Sequence, residues 1–401
     1  MRESKINSRP KRKMARQLLK CCDVSFKLLR ICKLFPEEGQ ENSFSYLVPV
    51  SAVLMLNFLQ WVFNIFYIID GLKHHYGLEV IKFGIVCIVS MCGVMWINSS
   101  CFRNRHLLIA LAKAMSDFET FGKPPAFDEV NDKINFYSKL HFVYLLGGSL
   151  LYFVVFAPMQ QRNCTKQTSK ANITTPCSIF VPIYVPYVAY EELERPPNVY
   201  IINAMLFCLI ICVYVTCGIV VWNNFEMVEY IRLRIRHLKA LLLGAFQEAD
   251  KVARRRIFRK SLRYHAEILR MARLADRFYG TELFLHVILT GVILGVSGFV
   301  MIESQQIDVL MVFVGWLNAI IIGCVSGQRL IDESSTIPDI LYEVNWYNFE
   351  IELKKDIVFF LLRCKQPMCI RTANVIMTNT LIIEILRTAY SYFTFLSAIG
   401  Q

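Results

Sequence analysis

The sequence predicts an all-α, polytopic membrane protein with seven transmembrane helices, a cytoplasmic N-terminus and helices extended into a cytoplasmic anchor bundle. Three observations carry that prediction. Hydrophobic residues make up 55% of the 401-residue chain and the mean hydropathy is +0.41, too apolar for a surface facing water on all sides. The formal charge of +12 is segregated into blocks that border apolar runs, and an excess of Lys and Arg marks the cytoplasmic side of a span. Helical periodicity also continues past the fourth apolar run, into segments too charged to cross a bilayer.

Taken in order, residues 1–43 are cytoplasmic by charge, with Arg2, Lys5, Arg9, Lys11, Arg12, Lys13, Arg16 and Lys20 preceding any span. They are long, basic and amphipathic, unlike a signal-peptide core, so the first span is expected to act as an uncleaved anchor. Lys20–Phe35 alternates basic and apolar residues, which predicts an amphipathic helix on the inner membrane surface. The first four spans lie within 44–222: Phe44–Ile69 with Pro49 in its first turn, Glu79–Cys101, Phe136–Pro158, and a fourth from Tyr200 to near Trp222. The pair Gly147 and Gly148 predicts close helix approach in the third.

Loop 159–198 is the longest outer segment. It holds two glycosylation sequons, at Asn163 and Asn172, and the cysteines Cys164 and Cys177, for which a bridge is favoured in an oxidising compartment. The other cysteines lie mostly in or beside apolar runs, where Cys behaves as a small hydrophobe. Pro182 and Pro186 break any helix late in the loop and predict an extended lid.

Residues 223–281 carry two basic helices with apolar stripes, the economical reading being a bundle below the membrane. Spans five and six follow within 282–328, with Gly291, Gly295 and Gly298 forming a small-residue packing face. Residues 329–372 are polar and helical, a cytoplasmic anchor helix set off by Pro367 from the last segment, 373–401. That segment has Glu384 and Arg387 in its first half, read as an ion pair within protein. Its uncharged second half is too short to span a bilayer core that needs about 20 residues. It therefore starts below the membrane and ends within it, either lining a pore or packed as a final anchor.

Catalytic and nucleic-acid motifs are missing: there is no GxSxG, HExxH, Walker A or GxGxxG, and no metal-ligand spacing of Cys and His. The expectation is a protein that is not an enzyme, with no cofactor, surrounded by membrane lipid and without a nucleic-acid partner.

The stretch Gly327–Ile399 resembles the C-terminal signature of insect odorant receptors. It contains GQRLIDESS, then Trp346-Tyr347, then Lys365-Gln-Pro367, and finally Thr388 followed by AYSYFTFL. Pro338 and Ile340 depart from the family pattern, where a small residue is usual. The gustatory-type ending TYxxxxxQF is absent, as is the long cytoplasmic insert of the co-receptor, so the chain looks like a ligand-tuning subunit. The resemblance implies a heteromeric tetramer with the odorant receptor co-receptor, forming an odorant-gated, non-selective cation channel in the plasma membrane of olfactory neuron dendrites. It implies a small volatile ligand held between the second, third, fourth and sixth helices, at a depth reached by Phe83, Tyr152, Asn203, Phe207 and Trp316. It also implies that the terminal helix lines the pore, with Phe395 at the constriction and Thr394, Ala398 and Ile399 nearby. A rival position for Phe395 is against a neighbouring helix. The rival classes are a seven-helix G-protein-coupled receptor, whose N-terminus should face outward, a gustatory-type channel, and a transporter, which usually shows paired repeats.

Overall fold

The computed structural model describes residues 21–37, 39–74, 78–171, 177–303 and 309–399. Among the described residues, six helices are long and apolar enough to cross a membrane. The first two are α2 (Phe44–Lys73) and α3 (Leu78–Arg103), preceded by a short α1 (Asp23–Ile31). After α4 (Arg105–Ser116), the third is α5 (Phe127–Leu151), which runs through a π turn at Tyr152–Phe156 into α6 (Ala157–Ala171). A short α7 (Tyr190–Glu194) leads to the fourth, α8 (Asn198–Ile210), which continues through a second π turn (Ile211–Val215) into α9 (Thr216–Gln247). Then come the charged α10 (Lys251–Glu282), the fifth and sixth spans α11 (Phe284–Glu303) and α12 (Leu310–Ser335), α13 (Ile351–Cys364) and the terminal α14 (Asn379–Ile399).

The fourth helix is continuous over Asn198–Gln247, 50 residues, or about 75 Å. Roughly 30 Å of that crosses the hydrocarbon and the rest stands below it. Its lower half and α10 form the main core, where Tyr230, Ile231, Leu238, Phe258, Tyr264, Ile268 and Phe278 are buried. The start of α10 is fixed by Asp250, whose carboxylate accepts from the amides of Val252 and Ala253. The residues that carried the family resemblance do structural work here. Glu333 accepts from Lys239 at 2.9 Å and Arg236 at 3.1 Å, Arg329 meets Glu229 at 2.8 Å, and Ser334 accepts the amide of Met368 at 2.9 Å.

Several expectations are corrected. Helix α1 is a core element rather than a membrane-surface helix: Phe26 and Leu29 are buried in the main core. Ser25 and Ser138 donate to Oε1 of buried Glu226, the former at 2.7 Å, and Asn223 donates to Oε2 at 2.8 Å. The carboxylate thus ties α1, α5 and α9 at one point, which overrides the surface preference of a basic, apolar-striped segment. Residues 329–372 are not one helix. Two 3₁₀ turns precede α13, and a two-stranded hairpin, Arg371–Thr372 paired with Val375–Ile376, precedes α14. Its turn residues Ala373 and Asn374 have φ of 49° and 64°, the left-handed pair that a two-residue hairpin requires. Glu384 and Arg387 are both exposed and form no ion pair with each other. A Cβ at Gly148 would sit 3.2 Å from Met311 Cε, but Gly147 has open space beside it.

The terminal helix runs parallel to α11. Gly291 lies against Thr388, and a Cβ at Gly295 would sit 2.6 Å from Tyr392 Cβ and 2.7 Å from the Ala389 carbonyl. Small residues let the backbones touch, as the stripe predicts.

One consequence can be measured. His265 in α10 is buried beside Phe360 and Cys364, and burial, helped by nearby Arg363, pushes its pKa down to about 4. The unfolded ring titrates near 6.5, so stability is intact above that pH and is lost as pH falls from 6.5 toward 4. Thermal unfolding of the purified protein between pH 7.5 and pH 5 should therefore show a steeper loss than the His265→Gln variant does.

Candidate functional site

The helices that cross the membrane line a half-open cavity of about 220 Å³. Its walls come from α2 (Gln60), α3 (Phe83, Cys87, Ser90, Met91), α5 (His141, Leu145, Gly148), the two π turns (Tyr152, Tyr214, Val215), α11 (His286) and α12 (Met311, Val312, Trp316). Both π turns therefore face the cavity, in keeping with their tendency to occur at functional positions. On the fourth helix Ile210, Tyr214 and Gly218 line the cavity before, within and after the turn at Ile211–Val215.

Trp316 forms one end of the wall. Its indole N–H donates to Ser90 Oγ at 2.9 Å and its ring stacks on His286 with centroids 4.3 Å apart. Gly93 gives the indole its room, since a Cβ there would overlap Trp316 Cζ2 and Cη2. A second stack, His141 on Trp222 at 4.6 Å, closes the inner end.

The roof is an extended strap after the disulfide Cys164–Cys177, whose Cα atoms are 5.5 Å apart. Ile179, Val181 and Ile183 alternate inward into an outer core with Phe83, Val86 and Leu206, the period of two of an extended chain. Its backbone is pinned from below. Asn64 donates to the Pro182 carbonyl at 2.9 Å, and the Tyr184 amide donates to Phe63 at 3.1 Å. Further along, the Tyr190 hydroxyl donates to Asp70 at 2.8 Å.

Of the residues expected around a ligand, the structure brings Phe83, Tyr152 and Trp316 to the cavity. Asn203 and Phe207 lie outside its lining. Asn203 accepts the Phe180 amide at 3.0 Å and donates to the Ser178 carbonyl at 2.9 Å, holding the strap. Phe207 packs edge-on to Phe153 at 4.6 Å. Both lie on the same helical face as Ile210 but one and two turns nearer the strap, so depth rather than face sets them apart. Sequence reasoning missed Gln60, His141 and His286. The available signal was the spacing of Asn57, Gln60 and Asn64 in an apolar span, since polar residues inside a membrane turn toward protein.

In the terminal helix, Thr394, Phe395 and Ala398 are exposed on the isolated chain, Phe395 at 61% and Tyr390 at 68%. Ile399 ends the helix and its side chain lies outside the described residues. Asn163 lies on α6, partly exposed, and Asn172 falls outside the described residues.

The model of the 7tm odorant receptor family matches residues 78–390, most of the chain and every wall of the cavity except Gln60. This chain belongs to that odorant receptor family. It is similar to Odorant receptor 85c of Drosophila melanogaster, at 25% identity over 35% of this chain and 38% of the relative. It is also similar to the odorant receptor coreceptor of Aedes aegypti, at 25% over 32% of this chain and 28% of the relative. The aligned stretches thus span well under half the length of these curated relatives. In fold, this family member is similar to the olfactory receptor OR5 from Machilis hrabei in complex with eugenol. The TM-score is 0.74 at 12% identity, covering 96% of this chain and 99% of that one. Family and fold together point to a multi-pass membrane receptor rather than an enzyme.

Proposed function

We propose that this chain is a ligand-tuning subunit of a heteromeric, odorant-gated, non-selective cation channel, and that a small volatile molecule binds in the cavity beneath the strap. The observation that carries the reading is the cavity itself. It is mainly apolar and aromatic, holds a few polar groups and lies between helices, the usual character of a small-molecule site. The partner in this reading is the odorant receptor co-receptor, in a tetramer at the plasma membrane of the sensory dendrite. Support for assembly comes from apolar side chains left uncovered on α13, namely Ile351, Phe359 and Leu362, and on α14, namely Leu386 and Phe395. The G-protein-coupled alternative fits less well, because the basic segments lie on the side that holds the N-terminus.

Cells expressing the chain with and without a co-receptor, tested across an odorant panel, provide the direct test. Ligand-evoked cation current only with the co-receptor supports the reading. Second-messenger signalling without current overturns it.

In the same reading Thr394, Phe395, Ala398 and Ile399 form this subunit's share of an apolar constriction that blocks ions by dewetting. Phe395→Ala is expected to raise resting current several-fold at matched surface expression. Reduced surface protein with normal single-channel current would instead assign Phe395 to subunit packing.

A further inference from the structure

Helix α2 buries a polar stripe. Asn57, Gln60 and Asn64, spaced three and four apart, are 2%, 6% and 0% exposed and share the face turned toward protein. Asn64 is committed to the strap through Pro182. Gln60 lines the cavity, and its amide makes no side-chain hydrogen bond among the described residues.

The other polar groups on the wall are accounted for differently. Ser90 accepts from Trp316, Ser149 donates to the Leu145 carbonyl at 2.9 Å, and the Tyr152 hydroxyl lies 3.2 Å from Gln160 Oε1. The Nε2 atoms of His141 and His286 have no partner either, but each has less than 1 Å² of accessible surface, in a ring stacked on an indole. Asn318 is only partly buried. Gln60 is thus, among the described residues, a deeply buried polar side chain that lines the cavity without a hydrogen-bond partner. An amide left this way loses its hydration with nothing in return. Its N–H₂ group donates and its carbonyl accepts, and a hydroxyl group matches both.

We infer that Gln60 is the polar recognition residue of the cavity, selecting an alcohol or a phenol over a hydrocarbon of the same shape. The inference rests on the ligand-gated reading above. It adds the first helix to the binding site and states the chemistry of the ligand. Tyr152 and Trp316 supply the apolar enclosure, and Gln60 fixes the orientation of the oxygen.

The test uses the full chain expressed with a co-receptor and a panel of shape-matched pairs: 1-hexanol with heptane, 1-octanol with nonane, and benzyl alcohol with ethylbenzene. Wild type is expected to respond at lower concentrations to the alcohols. Gln60→Met, which keeps the side-chain length, should raise the half-maximal concentration for alcohols about tenfold and leave that for hydrocarbons unchanged. If Gln60→Met fails to reach the surface, Gln60→Asn carries the same comparison by withdrawing the amide one methylene. Equal shifts for both members of a pair would overturn the inference and make Gln60 a packing residue. A wild type preferring hydrocarbons would overturn it too. Silence of the wild type to every compound would instead overturn the receptor reading beneath it.

Discussion

Gly295→Ala should abolish most of the ligand-evoked current, whereas Gly298→Ala, one turn further along the same helix, should change it by less than about twofold. The contrast follows from what each new methyl group meets. At Gly295 it would lie 2.6 Å from Tyr392 Cβ and 2.7 Å from the Ala389 carbonyl oxygen, and a backbone atom cannot rotate away. At Gly298 its nearest neighbour is Phe393 Cδ2 at 3.9 Å, ordinary contact. Overpacking of this kind costs about 1–3 kcal/mol, enough to separate α11 from the terminal helix locally. Currents normalised to surface protein decide the matter. Equal effects at the two glycines would mean that the terminal helix is not held by this contact.

Trp316→Ala is the second large effect. The indole closes one end of the cavity, stacks on His286 and donates to Ser90, so its removal opens the wall and leaves Ser90 without its donor. A loss of about 2 kcal/mol in ligand stabilisation, modest beside the 3–5 kcal/mol typical of buried Trp truncation, raises the half-maximal concentration about 30-fold. Ligands larger by two or three methylenes should lose less, because the truncation adds volume where the small ligand loses contact. Concentration–response curves for a homologous series would check this. A uniform shift along the series would assign Trp316 to helix packing alone.

Much of this architecture was legible in the sequence because its causes are local. Apolar runs of span length, basic blocks beside them and the stripe that continues beyond Trp222 each reflect the solvent around that segment. The glycine face at Gly291 and Gly295 was legible for the same reason, since spacing alone sets which residues meet a neighbour. What escaped were features fixed by distant partners. The burial of α1 depends on Ser138 and Glu226, which lie far along the chain. The strap sets how far up the fourth helix the cavity reaches, so Asn203 and Phe207 meet the strap and Phe153 while Ile210 and Tyr214, further along the same helix, meet the cavity. Gln60 was overlooked because the family pattern directed attention to other helices.

The continuity of the fourth helix has a mechanical consequence. Where its π turn loosens the backbone, Asn98 grips it, donating to the Val213 carbonyl at 3.0 Å and accepting from the Thr216 hydroxyl at 3.1 Å. That grip makes a fulcrum. Above it the arm ends at Asn203 and the strap, and below it about 48 Å of uninterrupted helix reaches Gln247. A pivot of about 2° at Asn98 becomes a sweep of about 1.7 Å at the far end. A rigid lever of this kind would turn a small adjustment around an occupant into a displacement of the core below, with no need for any side chain to relay it.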